Sequence, residues 1–249
     1  PDEVIAGCNA ALSEYKFNPD QKAILLNRRG VAYHKTGQFA LALADFTQAI
    51  EIDPNQVLFY NRGNVRDRMD DVPGAIADFS SAIERQPDFV SAISSRGILY
   101  VHSRQPAKSI DDFTRVIALR PGSSDAYFNR GMAYSIAGQP DRALPDFNAA
   151  LERNPDNLDA LMSRVSVNTQ LGNEPAVIAD LDRAAQLAPN RADIFAKRCF
   201  YWRRQKQDAK ADADCATASR LDPSLAAQLT RGYKGEIRLA HQVGLKRVD

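Results

Sequence analysis

The chain has 249 residues, 44% of them hydrophobic, with 32 basic and 31 acidic side chains for a net charge of +1. That balance disfavours a phosphate-binding surface, and with no apolar run of about 18 residues the expectation is a soluble chain without a membrane span. Three cysteines are too few for a disulfide scaffold and lack the paired spacing of a zinc site, so neither metal nor cofactor is expected. Residues 1–22 come first, where Val4, Ile5, Cys8, Ala11 and Leu12 read as the second helix of an incomplete hairpin. After them, Arg followed by Gly, or by one small residue in its place, returns every 33 or 34 residues, at Arg29-Gly30, Arg62-Gly63, Arg96-Gly97, Arg130-Gly131, Arg164-Val165 and Arg198-Cys199. A proline lies 24 residues beyond each second member, at Pro54, Pro87, Pro121, Pro155, Pro189 and Pro223. A fixed period of this length means one supersecondary unit stacked on copies of itself, because a single unit cannot bury its own apolar face.

Within the first period, Leu26, Gly30 and Tyr33, then Ala42, Phe46 and Ala49, recur at helical spacing and predict two amphipathic helices. Gly37, Gly138 and Gly172 are placed to end a first helix with a positive φ. Pro73, Pro106, Pro140 and Pro175 open second helices without loss of an intrahelical hydrogen bond. The hairpins are expected at 23–55, 56–89, 90–123, 124–157, 158–191 and 192–225, followed by a capping helix and tail at 226–249. There Leu225, Leu229, Tyr233, Ile237 and Ala240 form a stripe, and Arg231, Lys234, Glu236 and Arg238 supply a polar outer face. Pro145, beyond the first turn of its helix, is expected to bend that helix or delay its start.

The spacing of large and small residues resembles the tetratricopeptide repeat, and Tyr127, Gly131, Tyr134, Ala143, Phe147, Ala150 and Pro155 fill that pattern. Arg stands in place of the usual leucine before Gly, Arg66 and Asn168 take the Tyr place, and Val165 and Val177 replace Gly and Ala in the fifth unit. The fifth unit is therefore expected to fit least well. The resemblance implies an all-α, right-handed superhelical solenoid of antiparallel helix hairpins, six full repeats with a half-repeat at each end. It also implies a scaffold for protein partners. The Lys, Asn and Arg set with which co-chaperones of the family grip a carboxyl-terminal peptide is absent: Asn27 and Val31, then Asn61, are followed by Ser91 and Ser95.

Asp45, Asp78, Asp112, Asp146, Asp180 and Asp214 recur fifteen residues after the Gly place, level with the repeated Arg on the antiparallel helix. A charge pair repeated in every unit suits an internal ladder better than a site. Recognition is expected instead on the stripe that varies, which includes Ile24 and Val31 and reads Asn27, Arg28, His34, Lys35, Tyr60, Asn61, Asn64 and Arg68, then Asp125, Phe128, Asn129, Met132, Asp159, Met162 and Asp193. Asn can pair with either polar group of an extended backbone, and the aromatic and Met side chains offer apolar anchorage.

No GxSxG, HExxH, GxxxxGK or CxxC motif occurs, and His34, His102 and His241 fall in no register with a nucleophile, so a non-enzymatic chain is expected. The run from Lys197 to Lys206 mixes bases with aromatics as single-strand nucleic-acid sites do, yet Trp202 falls at the Tyr place facing the core, and nucleic acid remains the disfavoured partner. Cys199 and Cys215 take the Gly and Phe places of one hairpin, where a bridge is within reach. With Cys8 at the start and no initiator methionine or leader, an upstream segment is expected. The context of Cys8 resembles exported bacterial tetratricopeptide proteins, which favours the periplasm or exterior over the cytoplasm. The leading expectation is a peptide- or protein-binding groove. Self-association through solenoid ends, or service as the interaction part of a larger enzyme, stand as alternatives.

Overall fold

The computed structural model describes residues 1–226 and Leu229. Among them are thirteen α-helices: α1 (Asp2–Glu14), α2 (Pro19–Lys35), α3 (Phe39–Ile52), α4 (Gln56–Arg68), α5 (Val72–Arg85), α6 (Val90–His102), α7 (Pro106–Leu119), α8 (Ser124–Ile136), α9 (Pro140–Arg153), α10 (Leu158–Gln170), α11 (Glu174–Leu187), α12 (Ala192–Arg204) and α13 (Asp208–Leu221). Two compact units divide them, α1 to α7 within 1–119 and α8 to α13 from 120 onward. In the first, α1 packs on α2, and the hairpins α2–α3, α4–α5 and α6–α7 follow in chain order. The second holds α8–α9, α10–α11 and α12–α13 in the same manner. The expected capping stripe at Tyr233, Ile237 and Ala240, its polar face and His241 lie outside the described residues.

Asparagine and serine start several first helices: Asn18 forms a capping box with Gln21, and Asn55, Ser123 and Asn157 accept from backbone N–H groups two or three residues on. Each first helix then ends in one double hydrogen bond. In the first hairpin the Gln38 N–H donates to the Tyr33 carbonyl and the Gly37 N–H to that of His34. The five later hairpins repeat it, for instance with Gln105 to Tyr100 and Arg104 to Val101. This geometry needs a left-handed residue, and the three turn glycines have φ of 76°, 69° and 71°. Asp70, Arg104 and Lys206 hold the equivalent turns at φ of 60°, 54° and 57°. Sequence reading misses these three because the conformation is imposed by the two helices that the turn joins.

The hairpin interior depends on a close approach. A methyl group added at Gly30 would stand 2.9 Å from the Phe46 ring, at Gly63 2.7 Å from Phe79, at Gly97 3.0 Å from Phe113 and at Gly131 2.9 Å from Phe147. A bare backbone therefore faces a full aromatic ring sixteen residues on. The fifth hairpin solves the same problem differently, with Val165 opposite Leu181, and both are buried in one cluster with Val177. The larger residue at the Gly place is matched by a smaller one at the Phe place, yet α10 and α11 remain the least extensively packed pair of the six hairpins, as the departures of the fifth unit from the pattern predict. α9 does not begin late at Pro145: it runs unbroken from Pro140 to Arg153. The exposed Pro145 leaves α9 without one intrahelical hydrogen bond but does not end the helix.

Two predictions follow from this packing. Gly63→Ala should cost about 1–3 kcal/mol, and Phe79→Leu introduced with it should recover part of that loss. A urea-unfolding double-mutant cycle reads the coupling, and strictly additive costs would contradict the interlock. Arg104→Gly should raise stability by about 1 kcal/mol by relieving a left-handed side-chain conformation, whereas Gly138→Ala should lower it. An unchanged unfolding midpoint for Arg104→Gly counts against the assignment.

Candidate functional site

The recurring charges belong to the frame. Arg29 grips Asp45 with Nε at 2.8 Å and Nη2 at 2.7 Å, and the same two-pronged pair recurs at Arg62–Asp78, Arg96–Asp112, Arg130–Asp146, Arg164–Asp180 and Arg198–Asp214. All six aspartates are buried. The hydrogen-bonded carboxylates of Asp45, Asp146 and Asp214 hold the guanidiniums of Arg29, Arg130 and Arg198 above their ordinary pKa, against the opposing effect of burial. The remaining nitrogen, Nη1, reaches sideways to the neighbouring helix α1, α3, α5, α9 or α11. Arg29 finds Asn9 there, Arg62 Thr47, Arg96 Ser80, Arg164 Asn148 and Arg198 Asp182. One guanidinium thus fastens three helices. Arg164→Ala should destabilise the fold by about 3–5 kcal/mol, since Asp180 would remain buried without its partner. Replacing Asp180 by Ala as well should return part of the loss, and chemical denaturation of the three variants checks this.

The recognition stripe divides by unit. In the first, Asn27 Oδ1 accepts from Asn61 Nδ2 at 3.0 Å, tying α2 to α4. Arg28 and Lys35 are exposed, and Asn64 is half-buried. His34 leans on the Phe39 ring at 5.8 Å and the Arg68 guanidinium lies 5.9 Å from the same ring. Tyr60 is half-buried, between Phe79 at 5.7 Å and Phe89 at 5.1 Å. In the second unit much of the stripe is core. Phe128 is fully buried with its ring 6.0 Å from Phe147, Asn129 is fully buried, and Met162 lies in the cluster around Val165 and Leu181. These three positions are corrected to structural ones, because the helix face two and three residues before the Gly place is closed by packing there. Met132 accepts a long 3.5 Å contact from the Ser163 hydroxyl. Asp125, Asp159 and Asp193 are half-buried, and Asp193 is held by both prongs of Arg191 at 3.0 and 2.6 Å.

The basic run is also largely absorbed. Besides Arg198 in its clamp, Arg203 pairs with Asp212 and Arg204 with Glu174. Tyr201 is buried with its hydroxyl 2.6 Å from that of Thr169, and the half-buried Trp202 packs beside Cys199 and Cys215. Lys197 is half-buried, and loss of water lowers its pKa despite the nearby Asp193. Cys199 and Cys215 form a disulfide with Cα atoms 5.4 Å apart, and Cys8 is a buried free thiol.

Sequence reading overlooked the partners of Ile24. Together with Val57, thirty-three residues on, it forms an exposed apolar edge at the start of α2 and α4, beside a depression of about 460 Å³ lined also by Ala23, Asn27, Asp53 and Asn55. At the other end of the first helices, Lys35, Arg68 and His102 are the last residues of α2, α4 and α6, all exposed. The repeat register was the signal for both edges. Among the described residues no cluster of His, Cys, Asp or Glu could hold a metal ion, and no helix is long and apolar enough to cross a membrane.

An α-helical repeat whose varied side chains sit on one helix of each hairpin, over a recurring internal frame, defines a helical-hairpin repeat scaffold. Two models of the family described as tetratricopeptide repeat match the chain, one over residues 23–56 and 124–157 and the other over 60–124. The chain belongs to the tetratricopeptide repeat family, an all-α solenoid of repeats. Similar solved structures include the C-terminal part of a tetratricopeptide repeat-containing protein from Cytophaga hutchinsonii, at 18% identity and a TM-score of 0.79, covering 94% of this chain and 95% of that one. YrrB, a tetratricopeptide protein with an unusual peptide-binding site, aligns at 21% identity and 0.64 over 75% of this chain and 97% of its own. MamA aligns at 16% and 0.63 over 73% and 97%. At such identities the likeness carries the fold alone. No curated protein sequence matches the chain.

Proposed function

We propose that the chain is a non-catalytic interaction scaffold whose first unit binds an extended peptide segment across α2, α4 and α6. The observation that carries this reading is the paired-edge surface of that unit: exposed Ile24 and Val57 on one side, exposed Lys35, Arg68 and His102 on the other. Between them, Asn27, Tyr60, Asn61 and Asn64 offer donors and acceptors to a peptide backbone. Family membership supports a protein-interaction role, and the peptide-binding site of the similarly folded YrrB supports a peptide as ligand. Charge then selects the peptide. Apolar and basic edges lie eleven residues apart on one helix, about 16 Å at 1.5 Å per residue, which is about five residues of extended chain. The ligand that fits carries an apolar anchor and a carboxylate about five residues apart.

Isothermal titration with synthetic decapeptides tests this, using Leu and Glu separated by two, five or eight residues. The peptide with five intervening steps should bind best, Val57→Asp should abolish binding, and Arg68→Glu should weaken it at least tenfold and flatten its salt dependence. Because the three bases also complement helix C-termini, Arg68→Glu should carry a small stability cost of about 0.5 kcal/mol, so binding is compared well below the melting range. Equal binding of all three spacings, or indifference to both substitutions, would reject the reading.

A further inference from the structure

The last described hairpin departs from the other five in its interior. Where Gly30, Gly63, Gly97 and Gly131 lie under an aromatic ring and Val165 meets Leu181, Cys199 and Cys215 meet through a covalent bond. Both positions are buried, at 1% and 8% exposure. Around the bond lie Ala196, Ala211 and Ala218 with Leu225 and Leu229, and the partly buried Phe195 and Trp202 pack against them. Two cysteines occupy less volume than a glycine and a phenylalanine, so the apolar packing that closes the other hairpins is weak here and the bond replaces it.

We propose that the Cys199–Cys215 bond makes the order of the α12–α13 hairpin depend on thiol redox state. A dithiol reductant donates two electrons and two protons, the Sγ–Sγ bond breaks to give two thiols, and the reductant closes to its own disulfide. The 16-residue loop that the bond had closed then regains chain entropy in the opened hairpin. The polar contacts that remain include the Arg198–Asp214 clamp with its sideways bond to Asp182, the Tyr201–Thr169 hydrogen bond, and the Arg203–Asp212 and Arg204–Glu174 pairs. Elsewhere that clamp works together with a filled interlock; here reduction leaves it without one. Opening is local because the other hairpins keep their own interlocks and clamps. The inference does not depend on where a peptide binds.

Trp202 is the single tryptophan of the chain and packs against this cluster, so it reports on the hairpin directly. The full chain is unfolded in urea with and without dithiothreitol, following Trp202 fluorescence and far-ultraviolet circular dichroism, with amide exchange read over residues 192–221. Non-reducing peptide mapping should recover the Cys199–Cys215 pair. Dithiothreitol should lower the fluorescence midpoint below the dichroism midpoint and speed exchange in the hairpin by roughly a hundredfold. The C199A/C215A variant should behave as the reduced protein in either condition. The decisive variant is C199G/C215F, which rebuilds the interlock of the first four hairpins and should be protected and indifferent to reductant. A Cys8→Ser variant should respond like the parent. Unchanged exchange on reduction, a C199G/C215F hairpin as labile as the alanine pair, a response lost with Cys8, or absence of the mapped bond would each overturn the proposal.

Discussion

The arginine–aspartate clamp is the constraint around which every hairpin is arranged. A carboxylate buried to the degree of Asp78 or Asp180 would be costly alone, and only a planar donor that meets both oxygens offsets that cost. Lysine could not satisfy the two prongs and the sideways contact together. The clamp fixes where the second helix lies against the first, and its third bond fixes the preceding second helix as well. Arg29 reaching Asn9 places α1 in the role that α3 and α5 play for later hairpins, through Thr47 and Ser80.

One residue along, the interlock obeys the same offset. Arg29 meets Asp45 and Gly30 meets the Phe46 ring, so consecutive residues of one helix face consecutive residues of the other. Successive helical residues diverge by about 100°, which sends the aromatic rung inward and the ionic rung to the edge of the layer. Register between the helices is thereby set twice by different physics, one contact steric and one electrostatic. The Val165–Leu181 and Cys199–Cys215 rungs show that the steric one tolerates exchange as long as both sides change together.

Much of this was legible in the sequence, because period, turn glycine and paired charge are local and repeat. Arg and Asp sixteen apart needed only a hairpin to become neighbours. Burial along the varied stripe was harder to read. Phe128 and Asn27 share a register position, yet one is sealed against Phe147 and the other half-open beside Asn61. Phe128 is sealed by a ring of its own hairpin whereas Asn27 is engaged by the adjoining one, so one register position meets different neighbours in different repeats. Ile24 and Val57 were open to reading as a pair, being one period apart, but an apolar residue at a helix start looks like core until its neighbours prove too small to cover it. The left-handed Asp70, Arg104 and Lys206 carried no compositional mark at all.

The sideways bond of the clamp also bears on how such a chain can grow. Each 34-residue segment brings an arginine that needs a partner on the helix before it and a polar side chain that can serve the arginine after it. Thr47, Ser80, Asn148 and Asp182 all fill the second role, though they share little beyond an oxygen at the right place. A copied segment spliced between two others would find both of its joints already compatible. Array length can therefore change by whole segments without redesign of the seams, leaving the exposed edges of the first helices to diverge independently in each copy.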